Sequence, residues 1–184
     1  MGRPPDSGAL GAAQRRRRGP DRRRAQPLAV VRKVFFDTSV LVHGIIDFGT
    51  ASDPAQQLMR TVARGDLERP ATAWHCCLGF FSVTTRLPQE FRLSPDVAAV
   101  LVEEELLARL EVHPLPGAQQ RDLVLAAASE RLAGGRIYDA HIGQMALDSG
   151  ASTLTTDNRR HFTTLLRHGL RVLTSAEAVA FLGL

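Results

Sequence analysis

The sequence predicts a three-layer α/β/α domain built on a central, mainly parallel sheet. Three observations lead there. From residue 30 onward, short apolar runs alternate with longer segments of helical periodicity. Cap-forming residues, prolines and glycines fall at the joints between them. The chain has 184 residues, 44% hydrophobic and 23% charged, which is enough apolar side chain for one proper core. In such a sheet, ligands gather at the carboxyl ends of the strands, near the point where strand order reverses.

Taken in order, Val30 to Phe36 reads as a buried strand that ends at Asp37. Thr38 to Ile46 is helical. Asp53-Pro54 has the form of a helix cap followed by proline at the first helical position, and Gly65 marks a stop. Ala71 to Ala73 is a short strand, and a helix runs from Trp74 to Arg86, closed by Leu87-Pro88. Ser94-Pro95-Asp96 opens another helix with Val97, Val100, Leu101, Leu107 and Leu110 on its apolar face. Glu111 to Leu115 is a strand. Gln119 to Leu132 is a helix broken by Gly134-Gly135. Ile137 to Asp148 is a helix with Ile142, Met145, Ala146 and Ser149 along one side. Ser152 to Thr156 is a strand ending at Asp157, Asn158 to Arg167 is helical, Leu170 to Leu173 is a strand, and Ser175 caps a last helix.

The charge is unevenly spread. Residues 1–28 hold eight arginines against two aspartates, so the net +4 of the whole chain leaves the remaining 156 residues at −2. This arginine- and proline-rich segment lacks the apolar area to offset its conformational entropy and is expected to be a disordered tail ahead of a domain spanning 29–184. It reads as a solvated tail, as a stretch upstream of a true start near Val30, or as a nucleic-acid-binding arm. The adjacent Cys76 and Cys77 exclude a disulfide framework and a four-ligand zinc site. No apolar run reaches the length of a membrane span, and the start has no signal-peptide pattern; a cytoplasmic location is expected.

Asp37 and Asp157 each follow a strand, and Asp139 lies in the first turn of a helix after a glycine-rich loop. The fold rule puts all three on one sheet edge. Singly, each is better read as a helix cap. Together, three carboxylates at one mouth repel unless a cation joins them, and hard oxygen donors favour Mg²⁺ or Mn²⁺.

The residues around these acids carry a family likeness. Phe36-Asp37-Thr38-Ser39-Val40-Leu41-Val42, Tyr138-Asp139-Ala140-His141-Ile142, and Thr155-Thr156-Asp157-Asn158 with His161-Phe162 resemble, in order and spacing, the three acidic motifs of PIN-domain nucleases. The stretch from Ala73-Trp74-His75 to Thr85-Arg86-Leu87-Pro88 is similar to one branch of the VapC-type toxins in that family. The resemblance implies a metal-dependent endoribonuclease, the toxin of a type II toxin–antitoxin system. It makes Asp37, Asp139 and Asp157 the catalytic metal ligands, with Thr38 or Ser39 and Thr156 orienting ligands or waters. It also implies an RNA substrate, a cognate antitoxin and a homodimer.

One position departs from the pattern. The family's fourth acid, a glutamate, falls on Gly79. A mid-helix glycine costs about 1 kcal/mol relative to alanine, which makes it an odd structural choice. Three explanations are open: an impaired natural nuclease, an altered gene, or another acid, Glu68 or Glu90, filling the gap. The expectation is weakened Mg²⁺ binding and slowed cleavage. A silent PIN module that binds RNA or an antitoxin without cutting is the alternative.

Other residues bear on the choice. His43, His75, His141 and His161 lack zinc-site spacing and suit surface or packing roles. Trp74, Phe80 and Phe81 suit core or dimer contact, and the two cysteines suit buried inert thiols. Arg86 and Arg159 are candidate RNA contacts. A response-regulator receiver needs an acidic pair and a late lysine, whereas the only lysine is Lys33. A haloacid-dehalogenase phosphatase needs an aspartate where Ser39 stands, and a dinucleotide-binding domain needs glycines absent after Asp37.

Overall fold

In the computed structural model, which describes residues 33–184, Val34–Phe36 forms the central strand β1 and is buried on both faces. The predicted tail and residues 30–32 lie outside the described residues. β1 pairs in parallel with β2 (Ala71–Ala73) on one side and β4 (Thr153–Thr155) on the other. β3 (Glu111–His113) extends the sheet beyond β2, and β5 (Arg171–Leu173) beyond β4, giving the all-parallel order β3-β2-β1-β4-β5. The reversal therefore falls between β1 and β4, whose carboxyl ends carry Asp37 and Asp157.

Helices α1 (Thr38–Ile45), α2 (Asp53–Ala63) and α7 (Ser175–Leu182) pack in sequence, α2 lying against both others. α3 (Trp74–Thr84) touches α1, α4 (Pro95–Leu101) and α6 (Arg136–Asp148), while α5 (Gly117–Ser129) packs on α6. Phe35, Phe36, Leu41, Phe80, Met145 and Phe162 fill the core between them. Among the described residues no helix is long and apolar enough to cross a membrane.

Several expected boundaries move for identifiable reasons. Asp53 is the first residue of α2, and Ser52 takes the cap position, its hydroxyl spent on the Phe48 N–H. α3 ends at Thr84, two residues short of Arg86. Thr174, not Ser175, caps α7, through a reciprocal box with Glu177. The helix expected over Asn158 to Arg167 is instead two 3₁₀ turns, Arg159–His161 and Thr163–His168. The apolar face assigned after Ser94 is also different. Val97, Val100 and Leu107 are exposed, and Ala98, Leu106 and Leu110 are buried. A π-helical turn over Val102–Leu107 inserts extra backbone, so a straight 3.6-residue count loses phase at Leu107, while Val97 and Val100 are exposed on the regular turns of α4 that precede it.

Candidate functional site

The carboxyl end of β1 hands the chain straight into α1. Asp37 sits at that junction, capping Thr38 N–H through Oδ1 at 2.6 Å while its own N–H donates to Thr155 O on β4. Its other oxygen, Oδ2, accepts from the Ser39 hydroxyl at 2.9 Å and the Thr156 hydroxyl at 2.7 Å. Both hydroxyls also serve the neighbouring loop. Ser39 Oγ accepts from Asp157 N–H, and Thr156 Oγ1 accepts from Asn158 N–H. Thr38, Ser39 and Thr156 thus fix the Asp37 carboxylate, which is only 6% exposed.

A cleft of about 480 Å³ opens in front of it, lined by Asp37, Thr38, His43, His75, Gly79, Tyr138 and Asp139. Asp139 rises from the first turn of α6, after Gly134 has turned the chain at φ +58°. Burial pushes its carboxyl above the usual range, the charge of Asp37 adds to this, and His161 opposes it through a 3.0 Å contact between Nδ1 and Oδ2. Two carboxylates facing one cleft, one of them made reluctant to ionise, form the kind of place a cation stabilises.

Asp157 is placed differently. Its Oδ1 accepts from Ser175 N–H and Ser175 Oγ at the start of α7, and its Oδ2 pairs with His43 Nδ1 at 3.0 Å. It borders the cleft through His43 rather than lining it. Among the described residues, no three His, Cys, Asp or Glu are gathered tightly enough to enclose a metal ion. The fit to a hard divalent cation therefore rests on Asp37 and Asp139.

Gly79 lines the same cleft, and the structure supplies a packing reason for it. A Cβ at position 79 would lie 2.9 Å from both Cγ2 and Oγ1 of Thr38, on the α1 helix that packs against α3. Glu68 and Glu90 are exposed and outside the cleft, so neither fills the missing acid's place. Arg86 closes α3 by donating from Nε to Ser82 O, and Arg159 is paired with Glu177; neither lines the cleft. Cys76 and Cys77 are buried, their thiols pushed up to about 12 and about 11 chiefly by burial. Phe80 is core, whereas Trp74 and Phe81 are exposed.

Sequence reasoning assigns His43, His75 and His161 only surface or packing roles and Tyr138 none, whereas His43 and His161 each clasp one acid, His75 stands in the cleft wall, and Tyr138 stands at its rim. Tyr138 and His161 had a signal in the acidic motifs and His75 in the stretch that opens α3.

An all-parallel five-stranded sheet with this strand order and an acidic cleft at its reversal point defines a PIN-like domain. Its fold is similar to that of a chain of FitAB bound to an IR36 DNA fragment (TM-score 0.54, 11% identity, 77% of this chain and 94% of that one). It is also similar to PAE2754 from Pyrobaculum aerophilum (TM-score 0.53, 16% identity, 82% and 89%). At those identities the likeness concerns the fold alone. No protein-family model matches the chain. Ribonuclease VapC27 of Mycobacterium tuberculosis is 31% identical over 150 residues, covering 82% of this chain and 98% of the relative. Ribonuclease VapC40 of the same species is 31% identical over 123 residues, 67% and 85% respectively. The chain belongs to the VapC family of PIN-domain proteins.

Proposed function

We propose that this protein is a divalent-cation-dependent endoribonuclease, the toxin of a toxin–antitoxin pair. The observation that carries the reading is that Asp37 and Asp139 line one cleft, the second with its carboxyl pushed up by burial and by the charge of the first. Membership beside two ribonucleases supports the substrate class. Asp37 and Asp139 would hold Mg²⁺ or Mn²⁺, and Asp157 would join them only by letting go of His43 or Ser175. When bound, the cation supplies positive charge against the phosphate and acidifies a water. The chain's own part is positioning. Thr38 N–H and the hydroxyls of Ser39 and Thr156 hold Asp37 in one orientation, and His161 does the same for Asp139. A cognate antitoxin and a second copy of the chain are proposed partners on the strength of the family.

Gly79 favours one other reading, a module that binds RNA or antitoxin without cutting, because the site has one carboxylate fewer and no Cβ fits there without displacing Thr38. The test is RNA cleavage in Mg²⁺ and Mn²⁺, with EDTA as control, for this chain, Gly79→Glu, and Gly79→Glu with Asp37→Asn. EDTA-sensitive cleavage by this chain supports the enzyme. Cleavage by Gly79→Glu alone, lost with Asp37→Asn, identifies a disarmed nuclease. RNA binding without cleavage by any of them supports the module.

A further inference from the structure

Tyr138 stands at the cleft rim one residue before Asp139 and is 54% exposed. One face of its ring lies on the imidazole of His75, centroids 4.6 Å apart and planes 15° apart. His141 meets His75 edge-on, ring centroids 5.5 Å apart. The rings span from α3 to α6 and hold the Tyr138 ring at a set angle. Burial lowers the pKa of His75, against the raising charges of Asp37 and Asp139. Neither the Tyr138 hydroxyl nor a His75 ring nitrogen has a hydrogen-bond partner among the described residues, and His75 is the only ring beside Tyr138.

An aromatic ring that is braced from behind, open in front and set beside two carboxylates is costly to leave in water and well placed for a flat partner. We propose that Tyr138, backed by His75, is a stacking shelf for an unpaired RNA base adjacent to the phosphate at Asp37 and Asp139. Away from the cation that Asp37 and Asp139 would hold, no Lys or Arg lines the cleft among the described residues, so an unpaired base gains little there from charge. Stacking needs none, and every base offers a π-face. Arg136, two residues earlier on α6, lines a separate hollow with Glu130, Asp139 and His161, so its charge reaches Asp139 without standing beside the shelf.

The inference rests on the ribonuclease reading, and one experiment separates the two. Single-stranded RNA decamers, each with one 2-aminopurine walked along the sequence, are titrated with protein in Ca²⁺ instead of Mg²⁺ to hold back turnover. Anisotropy reports binding and 2-aminopurine quenching reports stacking. The shelf predicts strong quenching at one position, kept in Tyr138→Phe and lost in Tyr138→Ala, with affinity falling about 5- to 150-fold. His75→Ala should reduce the quenching with Tyr138 intact. Binding and quenching unchanged in Tyr138→Ala overturn the shelf and leave the nuclease reading standing. No RNA binding by the unaltered protein overturns both.

Discussion

Replacing Gly79 with alanine sets two opposing energies against each other. Alanine in a helix interior is favoured over glycine by about 0.8–1 kcal/mol. Against this, the new Cβ stands 2.9 Å from Thr38 Cγ2 and 2.9 Å from Oγ1, while ordinary carbon contacts lie near 3.5–4.0 Å. Overlap with two atoms of a short β-branched side chain has no long tether to relax along, and overpacking of this kind costs about 1–3 kcal/mol. Gly79→Ala should therefore be neutral to destabilising by about 2 kcal/mol. Truncating Thr38 to alanine removes both clashing atoms and leaves its Cβ at an ordinary 3.5 Å. In that background Gly79→Ala should stabilise by about 1 kcal/mol, so the double-mutant cycle should show a coupling of about 1–3 kcal/mol. Urea unfolding of the four proteins, compared at constant m, reads this directly. A stabilised Gly79→Ala single variant with coupling under about 0.5 kcal/mol would refute the close-contact account and return Gly79 to being merely an absent acid. The same clash bears on Gly79→Glu, whose gain in Mn²⁺ affinity by calorimetry should be larger with Thr38→Ala than with Thr38 in place.

Three further outcomes follow from the site and its surroundings. With its folded-state pKa raised, Asp139 opposes folding once ionised, so Asp139→Asn should raise the melting temperature in EDTA. Saturating Mg²⁺ should reverse that order, since ligand at 100 times Kd stabilises the unaltered chain by about 2.7 kcal/mol. Glu111, clasped by Lys33 and Arg69, has its carboxyl lowered from 4.5 to about 2. Its contribution is complete above pH 4.5 and is lost as pH falls toward 2, and a Glu111→Gln variant should show a flatter acid limb in stability against pH. Cys76 and Cys77 should resist a thiol reagent at pH 8 in the folded protein and both react in denaturant; rapid native labelling would contradict their burial.

Much of this arrangement could be read from the residues, for physical reasons that differ by element. Val34–Phe36 is an unbroken apolar run because both its faces are covered, and such a run followed at once by Asp37 announces a strand ending at a functional edge. The capping chemistry of Ser94 was equally visible, since its hydroxyl accepts from Val97 N–H as its sequence context predicts. The exposure of Leu107 was not, because a π turn leaves no mark on hydrophobic spacing until it has already shifted it. At the site, convergence of Asp37 and Asp139 followed from the parallel topology. The turning of Asp157 toward Ser175 and His43 did not, because it depends on where α7 begins and on a histidine two turns into α1. Gly79 could be noticed as an anomaly in the chain, but its reason lies in Thr38, forty-one residues earlier.

Ser175 has a consequence for anyone engineering the chain's end. The bond from Ser175 to Asp157, together with the Arg159–Glu177 pair, bolts the last helix to the loop bearing the third acid. The last helix is thus a mounting bracket for the acid-bearing edge of the sheet as well as a lid on the core. Cutting the chain after Leu173 would release Asp157 Oδ1 to swing toward Asp37 and Asp139 or away from them. A tag joined at Leu184, nine residues past Ser175, would leave that choice to the protein.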